Sequence, residues 1–188
     1  MESLTRWDSF FVIVGSSGAA LTGLQFVIIA LVVDVRRRST EHEINAFATP
    51  TIVHFCAVLL ISAIVSAPWA SLAKPAVALA ILGAAGAAYA LVIAGRARRQ
   101  KGYKPVMEDW LFHVVLPFTA YAAIAVAAVM LRGHTTGAPF VIASMTLGLL
   151  FIGIHNAWDT VTYIAIGATQ SQGVSTPADE PPSRRINL

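Results

Sequence analysis

Residues 10–33 read FFVIVGSSGAALTGLQFVIIALVV, twenty-four positions without a single charge. At ~1.5 Å of rise per residue, a helix of this length crosses the ~30 Å hydrocarbon core of a bilayer. The preceding segment carries Glu2, Arg6 and Asp8 in place of a basic start. A cleaved leader has a shorter apolar stretch behind positive charge, so this run is expected to be a retained span.

Working outward, four more apolar runs follow at residues 51–69, 76–95, 110–131 and 139–158, the last with room to extend to 168. The expected fold is therefore all-α, a polytopic integral membrane bundle of five transmembrane helices over residues 1–168. Residues 169–188, rich in Gln, Ser, Gly, Thr and Pro, are expected to form a disordered cytoplasmic tail. Composition agrees: of 188 residues, 56% are hydrophobic and 12% charged, with mean hydropathy +0.69. Soluble domains carry ~25% charged residues, so an ordinary water-soluble globule is excluded.

Local signals refine the spans. Pro50 stands at the start of the second and Pro68 near its end, positions that proline tolerates. Thr40 and Glu43 have capping-box spacing, which predicts a short amphipathic helix along the inner face before Pro50. Only a few residues separate the second and third runs, so a tight helical hairpin is expected there. Pro117 should kink the fourth span, with Thr119 near enough to satisfy a freed carbonyl.

Net charge is +3, and the basic residues are confined to the segments between apolar runs. Lys and Arg number ten in alternate connecting segments and the tail, against three in the others. This is the positive-inside asymmetry for an N-terminus outside and a C-terminus in the cytoplasm. A short polytopic chain whose first run is expected to be retained fits the plasma (inner) membrane, and a bacterial setting is expected. Arg96, Arg98, Arg99 and Lys101 are expected to anchor the chain to anionic inner-leaflet lipids, and no nucleic acid is expected as a partner. Trp7, Trp69, Trp110 and Trp158 all fall near span ends, where an indole ring is favoured.

Helices in lipid associate where small residues let backbones approach. Gly15, Ala19 and Gly23 recur every fourth position on the first span, and Ala80, Ala84 and Ala88 on the third, with Gly83 and Ala87 beside them. These two spans are therefore expected at the centre of the bundle.

Chemistry has few places to reside. The one cysteine, Cys56, permits no intrachain disulfide. Glu108 and Asp109 are adjacent, so they point to different sides of a helix and read as boundary acids, not a catalytic pair. The candidate ionisable residues in or beside the spans are His54, His113, His155 and Asp159. With the orientation above, all three histidines fall near the inner leaflet. On the fifth span, His155, Asp159 and Thr162 share one stripe, with Asn156 and Tyr163 alongside and Ile154, Trp158 and Val161 facing elsewhere. Gln25 and Thr22 on the first span would extend this polar face.

Three readings compete for this layer. Interfacial histidines that reach headgroup water need no function. A small-ion or proton channel or transporter, built from several copies as a homo-oligomer, would use the fifth-helix face as its path. A haem- or metal-binding redox protein would use the three histidines as ligands, although no two share a helix. A membrane scaffold or regulatory subunit, acting through the small-residue faces, is a further alternative.

Overall fold

The computed structural model describes residues 2–35, 41–99, 107–131, 133–134 and 136–173. Among these the chain is helical and contains no strand. In order the helices are α1 (Glu2–Thr5), α2 (Asp8–Val35), α3 (Glu41–Ser66), α4 (Ala73–Arg99), α5 (Met107–Trp110), α6 (Leu116–Met130) and α7 (Gly137–Gly173), with a π-helical turn at Leu111–Val115 joining α5 to α6. Five segments are long and apolar enough to cross a membrane: Asp8–Ala30, Thr49–Ser66, Ala73–Arg98, Leu111–Met130 and Gly137–Thr162.

Several local expectations need correction. Residues 41–50 do not form a separate helix, since α3 runs unbroken through Pro50 to Ser66. Its end is set by Ala67 and Pro68, so the span stops short of Trp69, whose indole N–H donates to the Ile64 carbonyl at 2.6 Å. The Pro117 distortion takes a definite form: the backbone widens to a π turn just ahead of it, and the Leu116 N–H bonds back to the Leu111 carbonyl. A π turn places an extra residue in the helix where proline cannot donate. The Thr119 hydroxyl donates to the Val115 carbonyl at 2.8 Å. Helix α7 continues to Gly173, past the expected start of the tail at 169, and residues 174–188 lie outside the described residues.

Neighbouring helices run in the order α2, α3, α7, α6, α4. The centre is thus held by the second, fourth and fifth spans, and the first and third are the outer ones, contrary to expectation. About a fifth of each outer segment is buried (22%), against 44%, 33% and 50% for α3, α6 and α7. The expected hairpin between α3 and α4 is also absent along most of its length, because α4 packs on α6.

Glycines explain why. A Cβ at Gly83 would lie 2.7 Å from both the Ala125 nitrogen and the Tyr121 carbonyl oxygen, and one at Gly86 would strike the Tyr121 ring. These two glycines let α4 approach α6. Likewise a Cβ at Gly15 would sit 2.6 Å from the Ser62 Cβ, and one at Gly18 3.1 Å from the Phe55 carbonyl. Each small-residue face therefore fits one neighbour closely, which makes a tight pair instead of a central position. The contact ridges also have i, i+3 spacing. Ala19, Gly23, Ala84 and Ala88 are exposed, and Gly23 has no atom within 4 Å of a built Cβ. An alanine already carries the Cβ that the closest approaches exclude.

The core joins α3, α6 and α7. Phe55, Val58, Ile61, Tyr121, Ile124, Ile142 and Leu149 are all almost completely buried. A third glycine contact sets their register, since a Cβ at Gly153 would meet the Phe55 ring at 2.5 Å.

Candidate functional site: a buried polar layer with a charged mouth

Two antiparallel registers determine which polar residues share a level. Gly15 opposite Ser62 pairs α2 with α3 so that Gln25 comes level with Thr51, and Gly153 against Phe55 brings Asn156 on α7 to that level too. Axial position gives the same answer independently. At ~1.5 Å per residue from the centre of each apolar segment, Gln25, Thr51 and Asn156 each lie about 9 to 10 Å toward one end of the bundle. His54 lies about 5 Å from the centre and Tyr121 within about 1 Å of it.

These side chains are inside the protein. Exposure is 2% for Gln25, 0% for Thr51, 2% for His54 and 1% for Asn156, values that put each beyond the reach of lipid. The His54 Nδ1 and the Tyr121 hydroxyl are 3.0 Å apart, which ties α3 to α6. Among the described residues, the Gln25 Nε2, the His54 Nε2 and both amide atoms of Asn156 have no hydrogen-bond partner. A buried amide without a partner costs ~1–3 kcal/mol, so this layer is not there for stability.

Among the described residues, the carboxylates on this side of the layer lie at the end of the bundle. The His155 Nε2 lies 3.1 Å from Asp159 Oδ2 and 3.7 Å from Glu108 Oε1. Glu108 is beyond hydrogen-bond distance, and the Asp159 contact is close without forming a hydrogen bond, so both are electrostatic contacts. The imidazole also stacks on Phe112, with ring centroids 3.6 Å apart. Half of the Asp159 carboxylate surface is exposed and Glu108 is more open still. Close by, the Arg98 guanidinium sits 5.6 Å from the Trp110 ring centroid. Arg96 is exposed on the last turns of α4. The side chain of Arg99 and all of Lys101 lie outside what is described.

The three histidines occupy one end of the bundle but two settings. His113 is near enough to His54 to interact with it electrostatically, whereas the neighbouring Phe112 faces His155. Successive residues on a helix point ~100° apart, which separates the two. Among the described residues, no three His, Cys, Asp or Glu side chains are grouped to hold a metal ion. On α7, Asn156 points inward, Thr162 is half-buried, and Ile154, Trp158 and Val161 are turned outward. The side chain of Tyr163 is not described. Thr22 donates to the carbonyl of Gly18 on its own helix, 2.8 Å away.

Sequence reasoning missed Thr51, Tyr121 and the role of Glu108. It looked for ionisable groups inside the spans, and a hydroxyl in an alanine-rich run or an acid just outside a span escapes that test. Tyr121, amid TAYAAIAVAA, was the available signal.

Among the described residues, the fold and site define an all-helical protein with five membrane-length helices, a set of buried neutral polar side chains and a carboxylate–imidazole cluster at one end. The chain matches no known protein family, no curated protein and no solved structure.

Proposed function

We propose that the chain is an integral membrane protein that moves a small ion along the polar face of α7, working as a homo-oligomer in a bacterial plasma membrane. The N-terminus lies outside and the C-terminus in the cytoplasm, on the ten-to-three distribution of Lys and Arg. The Glu108, His155 and Asp159 mouth then faces the cytoplasm, with Arg96 and Arg98 among anionic headgroups. The exposed Ala19, Gly23, Ala84 and Ala88 leave room for a second copy to approach.

One observation carries this reading: Asn156, 1% exposed, has no partner among the described residues for either amide atom, on a helix that could have carried leucine there. Unpaired polar groups in a bilayer mark substrate or ion pathways, because lipid-facing or purely structural positions select against them. Beyond Tyr121 the enclosed surface is mostly apolar, with Ile61, Ile124, Ile142 and Leu149 buried and Ser62 and Thr146 the buried polar side chains among the described residues. Such a stretch acts as a closed gate until it is wetted.

The test is flux in proteoliposomes. Purified protein should carry ion current above empty vesicles, and Asp159→Asn should change the rate while the protein stays folded. Vesicles indistinguishable from empty ones, with the variant equally silent, would contradict the proposal.

A further inference from the structure

We infer that the transported species is the proton and that His54 is its binding site within the membrane; this rests on the transport reading above. Among the described residues the layer is neutral: it holds Gln25, Thr51, Asn156, His54 and Tyr121, and the described carboxylates nearest to it at this end are those of Asp159 and Glu108. Asp159 lies about 14 Å from the centre of its apolar segment, against about 5 Å for His54.

Ca²⁺ and Mg²⁺ need six or more oxygen ligands, and a dehydrated K⁺ needs a rank of free backbone carbonyls. Helices α2, α3 and α7 run through this level without a break, and Pro50 on α3 and Pro117 on α6 each remove one intrahelical donor, which frees single carbonyls and not a rank of them. An anion would have to pass two carboxylates. A proton needs only one lone pair.

His54 can supply that lone pair. With the Nδ1 proton donated to the Tyr121 oxygen, 3.0 Å away, Nε2 is left as an acceptor, buried and without a partner among the described residues. Uptake forms one N–H bond at Nε2 and breaks one O–H bond of a hydronium arriving from the mouth. The imidazole becomes imidazolium, no electrons are exchanged, and release is the reverse step. Tyr121 is the positioning residue, which holds the ring so that Nε2 is presented to the path. The other titratable groups around the pair are His113, Cys56 and Tyr89. Gln25, Thr51 and Asn156 supply polar surface between the mouth and the ring.

The experiment measures ion selectivity in proteoliposomes with a pH-sensitive dye and separate K⁺, Na⁺ and Cl⁻ gradients. Wild-type protein should acidify or alkalinise the lumen along a proton gradient and leave the other three gradients standing. His54→Gln should lower proton flux at least tenfold, and Tyr121→Phe should lower it less. A nitrogen NMR titration of labelled wild-type protein in lipid should show a histidine Nε2 that gains a proton and is lost in His54→Gln. Flux of K⁺, Na⁺ or Cl⁻ without protons would overturn the inference and leave the transport reading standing. So would His54→Gln conducting protons like wild type. Absence of any flux would remove the transport reading itself. Should His54→Gln fail to fold, the wild-type selectivity and the NMR titration decide alone.

Discussion

Leu149 and Asn156 stand seven residues apart on one face of α7, and both are buried, at 0% and 1% exposure. Leu149 sits in a continuous apolar core with Ile142, whereas Asn156 brings an amide with no partner among the described residues. The same contrast runs along α3, where Val58, Ile61 and Val65 give way to His54 and Thr51. One half of the bundle is thus built for packing, and the other sacrifices stability to keep polar atoms inside. In the packed half the Thr146 hydroxyl donates to the Ile142 carbonyl of its own helix at 2.7 Å. Ser62, wedged against Gly15, is the exception there, with no hydrogen-bond partner among the described residues.

The contrast breaks most severely in the packed half. Gly83→Val would drive a side chain into backbone atoms of α6 on two sides, so a loss of about 3 kcal/mol is expected from thermal unfolding in detergent. A variant as stable as wild type would show that the α4–α6 contact is looser than described.

In the polar half the sign reverses. Asn156→Leu should raise stability by about 1–2 kcal/mol in the same assay and abolish ion flux. If the variant is destabilised, the amide has partners that the layer does not reveal. Tyr121→Phe should cost about 1 kcal/mol, the worth of its bond to His54. The smallest effects belong to the surface. Gly23→Ala meets no atom within 4 Å and should gain roughly 0.5 kcal/mol through helix propensity. Asp159→Asn should change stability by less than about 0.5 kcal/mol, because its partner His155 is a partly exposed neighbour, so its effect is read in flux alone.

Much of this architecture is legible in the sequence, because membrane span length and charge exclusion are set by the bilayer and need no knowledge of neighbours. The five apolar runs coincide with the five membrane-length helices to within a few residues at each end. Helix arrangement is different. Gly15, Gly18, Gly83 and Gly86 announce close approach but not to which helix, and counting every fourth residue singled out Gly15, with Gly83 beside the alanine series, while passing over Gly18 and Gly86. The polar stripe of α7, and Gln25 as an extension of it, were visible from the sequence, whereas Thr51 and Tyr121 were not. Gln25, Thr51 and Tyr121 come from three other helices, and only the registers fixed by Gly15 and Gly153 bring the first two level with Asn156. Glu108 reaches His155 because α5 ends beside α7, a tertiary fact with no local signature.

The most direct test of the two-half account is cysteine accessibility on that shared face of α7. In a Cys56→Ser background, Asn156→Cys and Leu149→Cys should be compared in lipid with a charged, membrane-impermeant thiol reagent applied from the end bearing Glu108. The account predicts that the cysteine at 156 reacts and the one at 149 stays inert. Equal inertness at both positions would show that water never enters the layer, and the polar half would then be a defect of packing instead of a path.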